Sequence, residues 1–496
     1  MAKIPQTILD LCPKLKGLRR IHQGKVRDSY VLPDHPGLML VVATDRISVF
    51  DHVLNGLIPN KGVVLTLLNH FWCGFLANLC PSDFVACGSR VDEFLPQHLR
   101  GDPLLQMRST VVRRYAPPTV EDVVRAYLTG SAFKDYGKDR MVYGNFLPEG
   151  LTDGCRLPYP LYTPTSKAET GHDMPLTPDE VGAMFGSRRE RLALQAMAMA
   201  GDYARKHGLI LADTKFEFTR DDNGGFVLAD ERLTPDSSRF WDLGEWKKAQ
   251  EKDGLPPSLD KQRVRDYMKK FEVDKLDPEK PADVERVHAI ALPDDMTRDT
   301  ELVYRYIMYR LTGMSLERYV RKVLGVDVDV PKRNILVVVG SKSDMPQLKL
   351  GLLYLKECGN APSSVDVISC HRNPLDLEAL ALSPRVDVII ACAGMAAALP
   401  GVLKASLCAN KHHRIPVIGV AMKGQNEPAN MAAKLSIEEL PGQPVELDQK
   451  GNAYFGAEGF RQACQVAVEA EFRVRSFETK PAIIGFDTHE LLASEG

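Results

Sequence analysis

Asp213, Lys215 and Glu217 carry the plainest chemistry in this chain. They stand in Leu211-Ala212-Asp213-Thr214-Lys215-Phe216-Glu217-Phe218, where polar and apolar residues alternate with the period of a half-buried strand, so the three share one face. Residues 222–225, Asp-Asn-Gly-Gly, signal a hairpin turn, and the return run Val227-Leu228-Ala229-Asp230-Glu231 brings two more carboxylates back toward that face. Carboxylates around a lysine suit an Mg²⁺-nucleotide, since hard oxygens hold the metal and the ammonium faces phosphate oxygens. A solvated strand face with cross-strand ion pairs has the same pattern.

Other residues offer related chemistry. In His22-Gln23-Gly24-Lys25-Val26-Arg27-Asp28 the glycine permits close backbone approach, and on an extended chain Lys25 and Arg27 point the same way, as nucleotide phosphates require. Residues 43–51 follow a buried strand and end at Asp51. Residues 123–131 end a strand in a Gly-Ser turn, where Arg125 and the Ser131 hydroxyl can hold a phosphomonoester. Residues 162–173, which include Lys167 and His172, are too rich in functional side chains for a plain linker. Asp236 and Arg239 follow the acidic hairpin. Further on, Gly340-Ser341-Lys342-Ser343-Asp344 follows a buried run and opens a helix, a suitable anion site. Ser369-Cys370-His371-Arg372 ends another strand and sets a proton carrier beside a phosphate clamp. Taken singly, each could be a hairpin, cap or turn.

The elements that must position these residues follow from length and pattern. At 496 residues the chain exceeds one hydrophobic core. A net charge of −2 favours neither nucleic acid nor an anionic membrane, so any basic site is local. The N-terminus lacks the apolar stretch of a signal peptide, and the apolar run 388–403 is too short and too interrupted to span a bilayer. The ten cysteines form no CxxC pair, which fits buried thiols in a reducing cytoplasm. Cys73, Cys80 and Cys87 recur every seven residues and read as a packed helix face. Helices are expected over 65–79, 188–207 (with Leu192, Ala196, Met199 and Tyr203 inward), 263–271 and 300–324. A polar, proline-bearing stretch near 325–333 reads as a linker between modules 1–324 and 334–496. Past it, β-branched runs at 335–340, 365–369, 386–391 and 415–420 alternate with helical segments, the mark of a doubly wound parallel sheet with ligands at the carboxyl ends of its strands.

The wording and order of five motifs in residues 21–324 resemble the SAICAR synthetase family: GKVRD, ATDRISVFD, VVRAYLTGS, TPTSKAETGHD and ADTKFEF…DERLTPDSSRFWD. The resemblance implies an α+β ATP-binding module. It would ligate L-aspartate to carboxyaminoimidazole ribonucleotide through an acyl phosphate, in purine biosynthesis. It also assigns roles. Lys25 and Arg27 belong to the phosphate-contacting loop. Glu217 and Asp230 hold Mg²⁺, Lys215 neutralises the transferring phosphoryl group, and Asp213 orients Lys215 or the attacking amine. Arg125, Ser131 and Arg239 hold the ribonucleotide, chiefly its phosphate, while Asp51, Lys167, His172 and Asp236 line the acceptor and aspartate region. Glu121-Asp122 departs slightly from the family's usual Glu-Cys.

Residues 334–470 resemble the AIR carboxylase family, with a flavodoxin-like α/β fold. That resemblance gives Ser341, Ser343, Asp344, Ser369 and Arg372 to ribonucleotide binding and His371 to proton movement or shielding of the carboxyl transfer. The substrates it implies are aminoimidazole ribonucleotide and CO₂, and the assembly it implies is a cytoplasmic homo-octamer. Ala398 stands where the microbial mutase branch has a histidine, and residues 451–457 replace a small-residue helix start. Two expectations therefore stand: a bifunctional enzyme, or a synthetase whose C-terminal module only assembles the oligomer.

Overall fold

The computed structural model describes residues 4–5, 15, 17–167, 174–252, 254–362 and 364–475, so His172 lies outside the described residues. The chain forms two compact units, Met1–Pro331 with Glu469–Arg473, and Lys332–Val468 with Val474–Gly496. The short segment Glu469–Arg473 thus belongs to the first unit although it lies within the span expected for the second module.

The first unit is built on two antiparallel sheets. One has the order Arg20–Gln23, Arg27–Val31, Leu38–Ala43, Ser109–Arg113, Phe84–Cys87. The other runs Arg156–Tyr162, Val120–Tyr127, Leu209–Arg220, Phe226–Ala229, and Ser238–Asp242 also pairs with the long strand Leu209–Arg220. That strand is 12 residues long, and its inward positions Phe216 and Phe218 join the main core. The turn at 222–225 closes its hairpin with Phe226–Ala229, as the sequence signalled.

Helix Arg188–Lys206 covers this sheet with Leu192, Ala193, Ala196, Met197, Ala200 and Ala204. Met199, expected inward, is exposed, because the small alanines let the helix lie close to the strands on a neighbouring stripe. The first long helix spans Lys61–Leu76 and is buried along most of its length, Lys61 included. The helix expected over 300–324 is two helices, Asp294–Thr312 and Leu316–Lys322. Gly313, at φ +71°, takes the left-handed conformation that ends the first. The cysteine stripe is not one helix face. Cys73 is helical, Cys80 lies past the helix and Cys87 ends a strand, though all three are buried.

The slight departure at residue 122 has a structural partner. Asp122 is wholly buried and accepts from both Nε and a terminal nitrogen of Arg189, each at 2.7 Å, and from the Tyr162 hydroxyl at 2.6 Å. Two hydrogen-bonded carboxylate oxygens offset the desolvation of the pair.

The second unit is a five-stranded parallel sheet in the order Val365–Val367, Ile335–Val339, Val388–Ala393, Val417–Ala421, Tyr454–Phe455. Numbered along the chain this is 2-1-3-4-5, the flavodoxin-like order. No described helix is long and apolar enough to cross a membrane.

Candidate active site

Strand register assembles the acidic cluster. Glu121 on the strand Val120–Tyr127 lies directly opposite Glu217 on the long strand. Two carboxylates so opposed repel each other, and Lys215 resolves the conflict by donating to Glu121 Oε1 at 2.5 Å and Glu217 Oε1 at 3.1 Å. Lys167 donates to the other Glu217 oxygen at 2.6 Å. Asp230 follows the return strand in a left-handed conformation, φ +59°, and pairs with Arg27 at 2.8 Å. Glu231 is the second partner of Arg27, at 3.3 Å.

Burial raises the Glu217 carboxyl above its ordinary range, and the Asp230 charge adds to this. Burial would raise Asp230 too, but Arg27, Lys167 and Lys215 outweigh it and hold that carboxyl well below the usual range. Burial would lower the Lys215 ammonium, yet Glu217 and Glu121 drive it upward. Lys215 is therefore a fixed cation. Among the described residues no three His, Cys, Asp or Glu side chains are grouped to hold a metal on their own. Glu217 and Asp230 nevertheless offer two mutually repelling hard carboxylates, a donor set that suits Mg²⁺ when phosphate oxygens and water complete its shell.

Two residues back along the long strand is an anion site. Arg125 lies opposite Asp213 across the strands, and Asp213 Oδ2 accepts from Arg125 and Arg239, each at 3.2 Å. Asp213 is the counter-ion of two arginines and, among the described residues, makes no hydrogen bond to Lys215, so of the two expected roles the geometry does not show the one of orienting that lysine. Arg125 also donates to Thr163 at 3.1 Å and to the Ser131 hydroxyl at 3.4 Å. Ser131 opens the helix Ser131–Asp139, so backbone N–H groups face the same place. Gly130, at φ +64°, is needed here twice, for its backbone conformation and because a Cβ would stand 3.2 Å from the Arg239 guanidinium. Two guanidiniums against one carboxylate leave a net positive charge beside a hydroxyl and a helix start, which is phosphomonoester chemistry.

Asp236 is engaged from behind by the buried Lys61 ammonium, and it accepts from the Tyr304 hydroxyl at 2.6 Å. Burial works against its ionisation, but Lys61 holds the carboxyl down to about 2. Among the described residues Lys25 does not share a partner with Arg27. It pairs with Asp51 at 2.6 Å on a half-exposed rim, and Asp51 itself is left-handed at φ +64°. Sequence reasoning missed Glu121, Thr163, Lys61 and Tyr304 as members of these clusters, while Glu231 was expected beside Asp230. The two-residue strand period puts Glu121 on the face of Arg125, so that signal was available. Lys61 and Tyr304 come from helices with no local mark of the role.

In the second unit the loops after the first and third strands meet at the point where the strand order reverses, the expected ligand position for this topology. The Ser341 and Ser343 hydroxyls lie 2.8 Å apart. A Cβ on Gly394 would stand 3.9 Å from the Asp344 carboxylate, whose pKa burial raises. Arg372 donates to the Gly340 carbonyl at 2.9 Å, and its backbone N–H donates to Ser369 at 3.3 Å. His371 is exposed, with Nδ1 3.7 Å from the Cys370 sulfur. Residues 342–348 form a 3₁₀ turn, and the α-helix begins only at Lys349, so the serine loop does not sit directly at an α-helix start as expected.

Comparison with known proteins matches residues 20–279 to the family SAICAR synthetase and residues 334–459 to AIR carboxylase. The phosphoribosylaminoimidazole-succinocarboxamide synthase of Thioalkalivibrio sulfidiphilus is 41% identical over 307 residues, which are 61% of this chain and 97% of that protein. That of Pasteurella multocida is 42% identical over 257 residues, 51% of this chain and 86% of the relative. A solved SAICAR synthase from Saccharomyces cerevisiae, complexed with SAICAR, is 34% identical with a TM-score of 0.53, covering 61% of this chain and 97% of that one. The motifs of residues 21–324 and the two clusters on the long strand lie within these matches. This chain belongs to the SAICAR synthetase family and carries an AIR carboxylase domain behind its synthetase unit.

Proposed function

We propose that the first unit uses ATP to join L-aspartate to carboxyaminoimidazole ribonucleotide, giving SAICAR, ADP and phosphate. The observation that carries this reading is that an acid–lysine cluster and a two-arginine anion site stand two residues apart on one strand, at Lys215 and Asp213. A ribonucleotide anchored by its phosphate at Arg125, Arg239 and Ser131 would present its far end to the γ-phosphate of ATP. Arg27, with Lys25 on the rim, faces the nucleotide phosphates. Glu217 and Asp230 would hold Mg²⁺, which when bound neutralises phosphate charge.

The acceptor carboxylate attacks the γ-phosphorus, ADP leaves, and an acyl phosphate forms. Lys215, kept charged by Glu121 and Glu217, offsets the charge that builds on the transferring phosphoryl oxygens. The aspartate amine then attacks the acyl carbon, phosphate leaves, and the amine proton is lost. Lys167, bound to Glu217, and Asp236 would line the acceptor and aspartate region, a role supported by their family motifs. His172 is proposed there on its motif alone.

Lys215→Ala is expected to abolish ATP- and aspartate-dependent SAICAR formation while leaving the fold intact by circular dichroism. Near-normal turnover in that variant would refute the role.

The second unit, with Ser341, Ser343, Asp344, Ser369 and Arg372 as ribonucleotide ligands and His371 moving a proton, would supply the carboxylated substrate from aminoimidazole ribonucleotide and CO₂. The second reading, a silent assembly module, is favoured by Ala398, which starts its helix without a side-chain cap or a titratable group. Aminoimidazole ribonucleotide and bicarbonate, given without ATP or aspartate, decide between them: carboxylated product supports the bifunctional enzyme, and none with the mutase substrate also inert supports the silent module. A cytoplasmic homo-octamer is the assembly proposed for either.

A further inference from the structure

Nearly every cation around the synthetase clusters is already engaged. Arg27, Lys61, Lys167 and Lys215 each hold a carboxylate, and Arg125 and Arg239 share Asp213. Two cations beside them are not. Lys261 precedes the helix Gln262–Lys269, and Arg265 lies four residues on, joined to it by a backbone hydrogen bond of 3.0 Å, so the two side chains share a helix face. Both are half-buried, and among the described residues neither side chain has a hydrogen bond or a carboxylate within ion-pair distance.

The loop carrying Lys261 is fixed against the anion site. Leu259 donates to the Phe240 carbonyl at 2.9 Å, and Ser258 bridges to Trp241, the two residues that follow Arg239. Asp260 turns to Arg239 at 4.0 Å and accepts from its own helix at Gln262 N–H, 2.6 Å. Asp260 feels the Arg265 charge more strongly than that of Arg239, yet among the described residues it makes no ion pair with Lys261 or Arg265. Burial pushes the Lys261 ammonium down, and Arg265 and Lys61 add to this against the pull of Asp236 and Asp260. Like charges four apart on a helix oppose folding, more so when partly desolvated, and Asp236 and Asp260 act on this pair only through space, without an ion pair or hydrogen bond, so the pair keeps capacity for a further anion.

We propose that Lys261 and Arg265 form a carboxylate-binding subsite for the incoming amino acid and so set the preference for a dicarboxylic one. The inference rests on the ligase reading above. Phosphate is the poorer occupant, because Arg125, Arg239, Ser131 and the helix start at Gly130 already supply the groups of a phosphate site. A carboxylate bound at Lys261 and Arg265 would leave the amino group free to reach the acyl phosphate, and an amino acid with one carboxylate would lack either this anchor or its partner.

Steady-state kinetics of the full chain test this, with Lys261→Met, Arg265→Met and the conservative Lys261→Arg. The methionine variants are expected to raise KM for L-aspartate about tenfold or more, with KM for ATP and for the ribonucleotide changed by less than about twofold. They should also narrow the kcat/KM preference for L-aspartate over L-asparagine, and Lys261→Arg should restore part of it. Lys261→Arg also guards against a folding defect, since it keeps the charge, and unchanged melting temperatures complete that control. An unaltered aspartate KM, or a rise confined to the ribonucleotide, would overturn the subsite. Wild-type protein that makes no SAICAR would instead strike the ligase reading, and the subsite with it.

Discussion

At the scale of single residues the site depends on charges that would be costly if left alone. Lys61 is fully buried and has Asp236 as its salt-bridge partner. The sign of its pH dependence follows from Asp236, whose folded pKa is about 2 against about 3.9 in an unfolded chain. This depressed carboxyl stabilises the fold fully above about pH 4, and that contribution is lost as pH falls toward 2. Lys61→Met removes the attraction that offsets burial, so Asp236 should then ionise only at higher pH. Urea unfolding at neutral pH is expected to show a loss of about 3 kcal/mol, a deficit that narrows on acidification as the stranded carboxylate takes up a proton. A deficit that stays constant from pH 7 to 4 would contradict the pairing. The same logic explains why Lys61 was not legible as a site residue: its partner lies 175 positions away, and nothing in its local run of apolar helix marks it.

At the scale of elements, alternation along 211–218 and the turn at 222–225 were enough to give the central hairpin and which residues share its face. The partner strand was harder to read. Glu121 and Arg125 belong to the site, and Asp122, on the opposite face, anchors the covering helix through Arg189. That division could be read only once the register with the long strand was known, because a one-residue slip would exchange the two faces. Asp122→Ala strips a wholly buried arginine of its carboxylate and leaves the Tyr162 hydroxyl unpaired. Thermal or urea unfolding should show a loss of about 3–5 kcal/mol, with KM values of the surviving folded protein little changed. Helix ends were less legible than helix existence. Gly313 splits what periodicity made one helix, and small alanines rotated the buried stripe away from Met199.

At the scale of the molecule, the two units differ in how completely the chain declares them. The second unit's parallel strands follow from continuous β-branched runs, and their 2-1-3-4-5 order places the serine and arginine loops together. The first unit holds a piece that no local pattern suggests. Glu471 accepts from Arg305 at 2.8 Å, Arg305 also holds Glu317 at 2.7 Å, and Arg473 reaches Glu245 at 3.0 Å. Arg318 pairs with Glu469. Glu471→Gln in the full chain is expected to destabilise the first unit by about 1–3 kcal/mol, measured as an earlier loss of synthetase activity on heating. An unchanged inactivation midpoint would show that Glu317 and Glu301 suffice for Arg305.

The segment Glu469–Arg473 also sets an order of events during synthesis. The ribosome releases residues 332–468 before it releases the piece that completes the salt bridges of the first unit. At ~5–20 residues per second that interval is on the order of ten seconds. Through it, a nearly finished synthetase unit holds Arg305, Arg318 and Glu245 without the partners that Glu469–Arg473 supplies, so a chain interrupted before residue 469 leaves the first unit short of its final fastening.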